Sequence, residues 1–252
     1  MHAIKNNPFL YHCNNYRISH KYLDIVLPLY NPSSSWAEEI VNHFFDLKDR
    51  FDQTWSISLS IVDDGNDLDL SEGLKLIRSS IPDVNWISYP LNQGKGHALR
   101  EGIKHGEGSI IVYTDFDFPY QVKNIYEMVE RLDNGDADVL VGVRDESYYR
   151  HISFMRRIIS KILKLLNSIF LKIPTVDTQC GLKAFNTKGK LIFERTSTKR
   201  YLVDVEFLKL LAKTDLKVKT HLVEVREDLV LSEIKNLKLL REMFSYIRIL
   251  FS

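Results

Sequence analysis

The chain has 252 residues, 44% hydrophobic and 27% charged, with a formal net charge of +1, so it has room for one large α/β domain or two small ones and no whole-molecule field to draw a polyanion; any basic site must be local. Its two cysteines, Cys13 and Cys180, exclude a disulfide framework and point to a reducing compartment. Residues 1–22 lack the apolar core of a signal peptide, and no stretch reaches the ~18 consecutive apolar residues of a spanning helix.

After a polar lead over residues 1–21, YLDIVLP (22–28) reads as a first strand stopped by Pro28. Ser35 can cap a helix running to about Arg50, with Trp36, Ile40, Phe44 and Leu47 near helical spacing. WSISLSIVDDG (55–65) is a second strand ending at Gly65, followed by a short helix in LSEGLKLIRSS. NWISY (85–89) is a third strand, and GHALREGIK (96–104) a helix entered through glycines. SIIVYTD is a fourth strand, VKNIYEMVERLD (122–133) a helix and ADVLVGVR (137–144) a fifth strand. Strands alternating with helices at this spacing predict an α/β fold: a mostly parallel central sheet with helices on both faces. Ligands of such sheets sit beyond the carboxyl ends of the strands. The unusual clusters of the first half all fall there: Tyr30-Asn31, Asp63-Asp64, the glycines, Asp115 with Asp117, and Arg144.

The segment VYTDFDFPY (112–120) ends an apolar run on two carboxylates. If the strand continues through it, alternation puts Asp115 and Asp117 on one face and Phe116 and Phe118 on the other. Two like charges so placed need a cation or a shared proton. A solvated acidic turn capping the next helix is the competing reading.

The second half differs in texture. Residues 147–176 contain no acidic residue, while Arg150, Arg156, Arg157, Lys161, Lys164 and Lys172 are basic. Met155, Ile158, Ile159, Ile162, Leu165, Leu166 and Ile169 fall on one helical face, the pattern of a membrane-surface helix or of a core-packing helix with a wet basic face. The tail, residues 233–252, reads as a second amphipathic helix.

Six segments in order, LPLYN (27–31), VDDG (62–65), NQGKGHA (92–98), TDFDFPY (114–120), GVR (142–144) and DTQCGLKAF (177–185), resemble the family 2 inverting glycosyltransferases of the GT-A fold. The D-T-Q-x-G-x-K segment is most similar to the dolichyl- and polyprenyl-phosphate mannosyl- and glucosyltransferases. The resemblance runs from about residue 22 to 232 and implies one GT-A domain, a nucleotide-sugar half (22–145) and an acceptor half (146–232). It implies transfer of a hexose from UDP-glucose or GDP-mannose to a polyprenyl or dolichyl phosphate, with Mg²⁺ or Mn²⁺ held by Asp115 and Asp117. Asp63 becomes the reader of the base and Asp64 the partner of its loop. Pro28, Tyr30 and Asn31 become the opposite wall of the nucleotide pocket, Gly94 and Gly96 admit the ligand closely, and Lys95 adds a cation near phosphate. Asp117, Arg144 and Gln179 form the catalytic group, and Arg144, Arg156, Arg157 and Ser160 the acceptor site. A lipid phosphate has a second pKa of about 6 and is already largely ionised, so it needs cations more than a base.

Three departures qualify the match: Pro119 stands where relatives often have a metal-binding glutamine, REDLVLS (226–232) keeps only Arg226 and Ser232 of a late motif, and no membrane span follows. The expected setting is the cytoplasmic face of a membrane, with peripheral binding or an anchor from an integral membrane partner or a homo-oligomer, and no nucleic acid. Two rivals stand beside this reading. One is a family 2 enzyme acting on a glycan hydroxyl with Asp204 or Glu206 as base, and the other a non-catalytic nucleotide-sugar-binding module. A dinucleotide-binding dehydrogenase fits less well, because GKGHAL lacks the third glycine of that fingerprint and follows the third strand.

Overall fold

The computed structural model describes residues 20–145, 177 and 180–226. The described residues form seven strands and six helices, alternating through β5: β1 (Lys21–Leu29), α1 (Trp36–Lys48), β2 (Trp55–Asp63), α2 (Ser71–Ser80), β3 (Asn85–Ser88), α3 (Lys95–His105), β4 (Ile110–Tyr113), α4 (Val122–Asp133), β5 (Val139–Arg144), β6 (Lys183–Asn186), α5 (Thr187–Phe193), α6 (Val203–Leu211) and β7 (Val218–Val223). One sheet holds them all in the order β3-β2-β1-β4-β6-β5-β7. Every neighbouring pair is parallel except the two made by β6, which runs antiparallel to β4 and β5. The expected α/β architecture, mostly parallel with covered faces, is therefore the observed one.

Alternation along β1 shows why both faces are covered. Leu23, Ile25, Leu27 and Leu29 join α1, α2 and α4 in one core cluster, whereas Val26 joins α3, α5 and α6 in the other. The strand does not stop at Pro28, as the sequence reading had it, but runs one residue further. Its pairing with β4 ends at Val26 opposite Tyr113, and the Val26 carbonyl, facing β4, accepts from Thr114 N at 3.3 Å. Pro28, two residues on, faces the same side past the end of that ladder, so its missing N–H forfeits no bond.

The chain leaves β1 toward β2 on one side and returns to β4 on the other, so the crevice beyond Leu29 and Tyr113 is the switch point of the sheet. The antiparallel β6 completes it. Because Tyr113 pairs with Lys183, the start of β6 lies at the carboxyl edge of the parallel strands, and residues 180–183 are delivered beside the turn that follows β4.

Candidate active site

The alternation argument for Asp115 and Asp117 does not hold, because β4 ends at Tyr113, before both. The chain turns instead: Phe118 N donates to the Asp115 carbonyl at 3.1 Å, and Phe118 takes a φ of 43°. A bulky residue in the left-handed region costs about 1–2 kcal/mol, which must be offset locally. Phe118 is 1% exposed, in the core cluster of α1 and α4, with its ring centroid 5.2 Å from that of His43. The turn therefore sends both phenylalanines toward one core while the carboxylates stay at the crevice. Backbone held in a sparsely populated region is characteristic of functional sites.

The two carboxylates are unlike. Asp115 Oδ1 receives Lys95 Nζ at 2.5 Å. A Cβ on Gly181 would fall on Asp115 Oδ2, so a side chain there would have to push that carboxylate aside. Asp117 Oδ1 is buried and has no hydrogen-bond partner, the one such side-chain oxygen or nitrogen among the described residues. Burial, and then the Asp115 charge, push the Asp117 carboxyl up to about 6. Arg226 donates to the backbone carbonyl of Asp117 at 3.2 Å and pairs with His43. An orphaned buried carboxylate oxygen beside a second carboxylate is a donor set that suits a hard divalent cation. Among the described residues no third His, Cys, Asp or Glu joins them, so the remaining positions would fall to oxygens of a ligand or of water.

The acidic pair after β2 is spent differently. Asp64, 2% exposed, accepts from the Tyr89 hydroxyl at 2.7 Å, Asn92 Nδ2 at 2.9 Å, Gln93 N at 2.9 Å and Gly94 N at 2.9 Å. It is the anchor of the loop that leads into α3. Asp63 accepts from Ser88 Oγ at 2.9 Å and from Asn66 Nδ2 at 2.7 Å, and lies half-buried at the crevice. Asn66 also accepts from Asn31 N at 2.6 Å, which fixes Asn31 in the left-handed region at φ 51°. Tyr30 beside it is 48% exposed, while Pro28 is buried within β1.

The glycines expected to admit a ligand admit the chain itself. A Cβ on Gly94, whose φ is 99°, would lie 2.5 Å from the Lys199 carbonyl, and one on Gly96 would fall on the Thr198 carbonyl. The segment 196–200 is held there by His97 N to Lys199 O at 3.1 Å and by Arg100 Nη1 to Thr198 O at 2.8 Å. Glu206 holds it from the other side, accepting from Ser197 N at 3.0 Å and Thr198 N at 2.7 Å. Asp204 is equally committed, accepting from the Tyr113 hydroxyl at 2.5 Å and pairing with Lys183 at 2.8 Å, all three buried. Burial and the neighbouring Asp204 hold the Tyr113 phenol well above its ordinary value. Lys183 also donates to the Cys180 carbonyl at 2.5 Å, which positions Gly181 against Asp115.

Arg144 lies at the end of β5 in a forked pair with Asp177, Nε to Oδ2 at 2.9 Å and Nη2 to Oδ1 at 2.6 Å. Gly181 N donates to the buried Tyr120 hydroxyl at 3.0 Å, and that hydroxyl feels the charges of both Arg144 and Asp115. Of the residues named from sequence, Asp115, Asp117 and Lys95 thus meet at the turn after β4, Asp63 and Asn31 share the partner Asn66 beyond β1 and β2, and the buried Asp64 ties Gly94 to the end of β2. Gln179, Arg156, Arg157 and Ser160, with the amphipathic segments 153–173 and 233–252, lie outside the described residues. Asn66, Tyr89, Gly181 and the Lys183–Asp204–Tyr113 triad escaped the sequence reading. Gly181 and Lys183 lie in a motif segment and Asp204 was named only as a candidate base, while nothing local marked Asn66, Tyr89 or Tyr113, the last being 91 positions from Asp204.

Comparison with known proteins bears on the same segments. Dolichyl-phosphate beta-glucosyltransferases of Trichomonas vaginalis and Saccharomyces cerevisiae are similar to this chain, at 24% identity over 215 residues and 27% over 218. The matches cover 82% and 78% of this chain but 66% and 64% of those proteins, so the chain spans just under two thirds of their length. Undecaprenyl-phosphate 4-deoxy-4-formamido-L-arabinose transferase of Salmonella choleraesuis is 30% identical over 167 residues, 66% of this chain and 49% of that one. Among solved structures, mannosyl-3-phosphoglycerate synthase from Rubrobacter xylanophilus superposes with a TM-score of 0.70 at 15% identity, covering 93% of this chain and 74% of that one. Glucosyl-3-phosphoglycerate synthase from Mycobacterium tuberculosis, solved with Mn²⁺, UDP and glucosyl-3-phosphoglycerate, gives 0.65 at 15% identity, covering 90% and 78%. The fold is thus the GT-A fold expected from the motifs. Residues 24–201, which carry the crevice from β1 through the glycine-bordered loop before α6, match the family described as Glycosyl transferase family 2, and the chain belongs to that family.

Proposed function

We propose that this chain transfers a hexose from a nucleotide sugar to a polyprenyl or dolichyl phosphate, with inversion and with a divalent metal. The observation that carries the metal-dependent transfer is the buried, unpartnered oxygen of Asp117 beside Asp115 at the switch point of the sheet. Bound by Asp115 and Asp117, Mg²⁺ or Mn²⁺ supplies positive charge to the departing diphosphate. Asp63 reads the base, Tyr30 and Asn31 wall the nucleotide, and Lys95 adds a second positive charge near the diphosphate. An ionised phosphate oxygen of the acceptor forms its bond to the anomeric carbon as the bond to the diphosphate oxygen breaks. The nucleoside diphosphate leaves with the electron pair, attack from the opposite face inverts the centre, and no proton is moved.

The acceptor is read from the fate of the base candidates. Asp204 is buried against Lys183 and Tyr113, and Glu206 is occupied by Ser197 and Thr198. Neither is free to take a proton from a hydroxyl, which favours a nucleophile that needs none. The named activities of the dolichyl- and undecaprenyl-phosphate relatives support the same class. Arg144, Arg156, Arg157, Ser160 and Gln179 serve the acceptor side. The acid-free segment 147–176 brings the protein to the cytoplasmic face of a membrane, alone or with an integral partner or a second copy. Among the described residues no helix is long and apolar enough to cross a membrane. A screen of UDP-glucose and GDP-mannose against a short polyprenyl phosphate and a glycan acceptor, with Mn²⁺ and with a chelator, tests the reading. Metal-dependent transfer to the lipid phosphate is expected; transfer only to the glycan, or none, overturns it.

A further inference from the structure

The contact between Lys95 and Asp115 concerns how the enzyme is kept before the donor arrives. Lys95 is the first residue of α3, and its side chain is 11% exposed. Its backbone is held in place. Gly94 before it is pinned by Asp64 and closed against Lys199, and Gly181 backs the other oxygen of Asp115. Burial works against its ammonium, and the charges of Asp115 and Asp204 outweigh that penalty and favour the charged form. One carboxylate of the pair thus already has a cation, while the other has an oxygen with no partner.

We propose that Lys95 is the internal counter-ion of Asp115: in the donor-free enzyme its ammonium holds the place of the divalent cation, and it yields that place only when a diphosphate arrives to receive it. This rests on the metal reading above. A divalent ion arriving alone would have to evict a largely buried ammonium, 11% exposed, from a carboxylate that is 39% exposed and leave the ammonium without that partner, which costs free energy. An ion arriving with a nucleoside diphosphate brings the phosphate oxygens that take the ammonium over. Metal and nucleotide are therefore coupled ligands, and each raises the affinity for the other by the same factor.

The test is Mn²⁺ binding by electron paramagnetic resonance to the full chain, alone and with UDP or GDP, for the wild type, Lys95→Met and Lys95→Gln. The wild type should bind Mn²⁺ weakly alone and more tightly with one nucleotide, by roughly 5- to 150-fold, the usual range of such coupling. Either variant should bind Mn²⁺ alone more tightly than the wild type does, on the order of tenfold, with most of the nucleotide coupling lost. Mn²⁺ without nucleotide should also raise the melting temperature of the variants and not of the wild type. Variants that bind Mn²⁺ alone no better than the wild type, while the wild type binds it with nucleotide, overturn the counter-ion role and leave the metal reading intact. A wild type that binds no Mn²⁺ with either nucleotide overturns both. Variants that fail to fold and are not rescued by excess Mn²⁺ also overturn it, since a cation that stands in for a metal must be replaceable by one.

Discussion

Two acidic pairs stand at the carboxyl edge of the sheet, one after β2 and one after β4, and they are put to different uses. Asp64 accepts from two side chains and two backbone amides and is saturated, and Asp63 beside it is held by Ser88 and Asn66. Asp117 has an oxygen sealed from water with nothing to accept, and Asp115 is held by a single lysine. A carboxylate whose lone pairs are all taken by its own chain is scaffolding, because leaving any donor unmet would destabilise the loop. One buried without partners destabilises the apo fold and persists where a ligand completes it. The pairs have similar composition and similar placement, and hydrogen-bond satisfaction is what separates them.

The sharpest way to break that contrast is Asp117→Asn. Transfer should fall roughly 10²–10³-fold, the scale of losing one group that stabilises developing charge. Stability in a chelator should rise instead of falling. The carboxyl is raised from 3.8 to about 6 in the fold, so its charged form is disfavoured there and the penalty is present above about pH 6. The gain, up to about 3 kcal/mol by denaturant unfolding at pH 8, should shrink as pH falls below about 6 and vanish only below about pH 3, where the carboxyl is protonated in both states. Near-normal turnover at low millimolar metal would remove the basis for a metal role.

Asp64→Asn should move stability the opposite way. An amide nitrogen turned toward four donors leaves some unmet, so a loss of about 1–3 kcal/mol is expected by chemical unfolding. Calorimetric affinity for UDP or GDP should fall with it, since the same loop sets Gly94 and Lys95. An unchanged unfolding midpoint would mean that Asp64 is not the anchor.

Glu206→Gln should have the smallest effect, with most of the transfer retained and about 0.5–1.5 kcal/mol lost at neutral pH. Burial alone would raise this carboxyl, but its bonds from Thr198 and Ser197 outweigh that and hold it below 4.5. Its contribution is therefore present above about pH 4.5 and is lost as pH falls through the lower folded value, so the variant should flatten that part of the acid limb. A folded Glu206→Gln protein that binds donor yet transfers nothing would favour the glycan-hydroxyl rival and blur the line between scaffolding and site.

Much of the fold was legible because it is local. Alternating apolar runs and helical spacing placed β1 to β5 and α1 to α4 within a few residues, and the order of strands and helices required a parallel sheet whose carboxyl edge gathers the motifs. The candidate site was legible as a set of positions but less so as a set of contacts. The aspartates after β4 were located correctly on a premise that failed, since they sit in a turn and not on the strand. Nothing in LKAF announced that Lys183 is fully buried against Asp204 and Tyr113, nor anything in GVR that Arg144 would fork onto Asp177.

By itself the sequence determined the element order through β5, the two covered faces and the family motifs, because backbone geometry fixes the periods of helix and strand over short stretches. The tertiary structure decided what those motifs touch. Only the antiparallel course of β6 brings Gly181 and Lys183 to the end of β4, and only the assembled fold leaves Oδ1 of Asp117 unpartnered while saturating Asp64. The physical reason is range: hydrogen bonds and ion pairs act within a few ångströms, between residues that the chain separates by 20 to 91 positions and the fold alone makes neighbours.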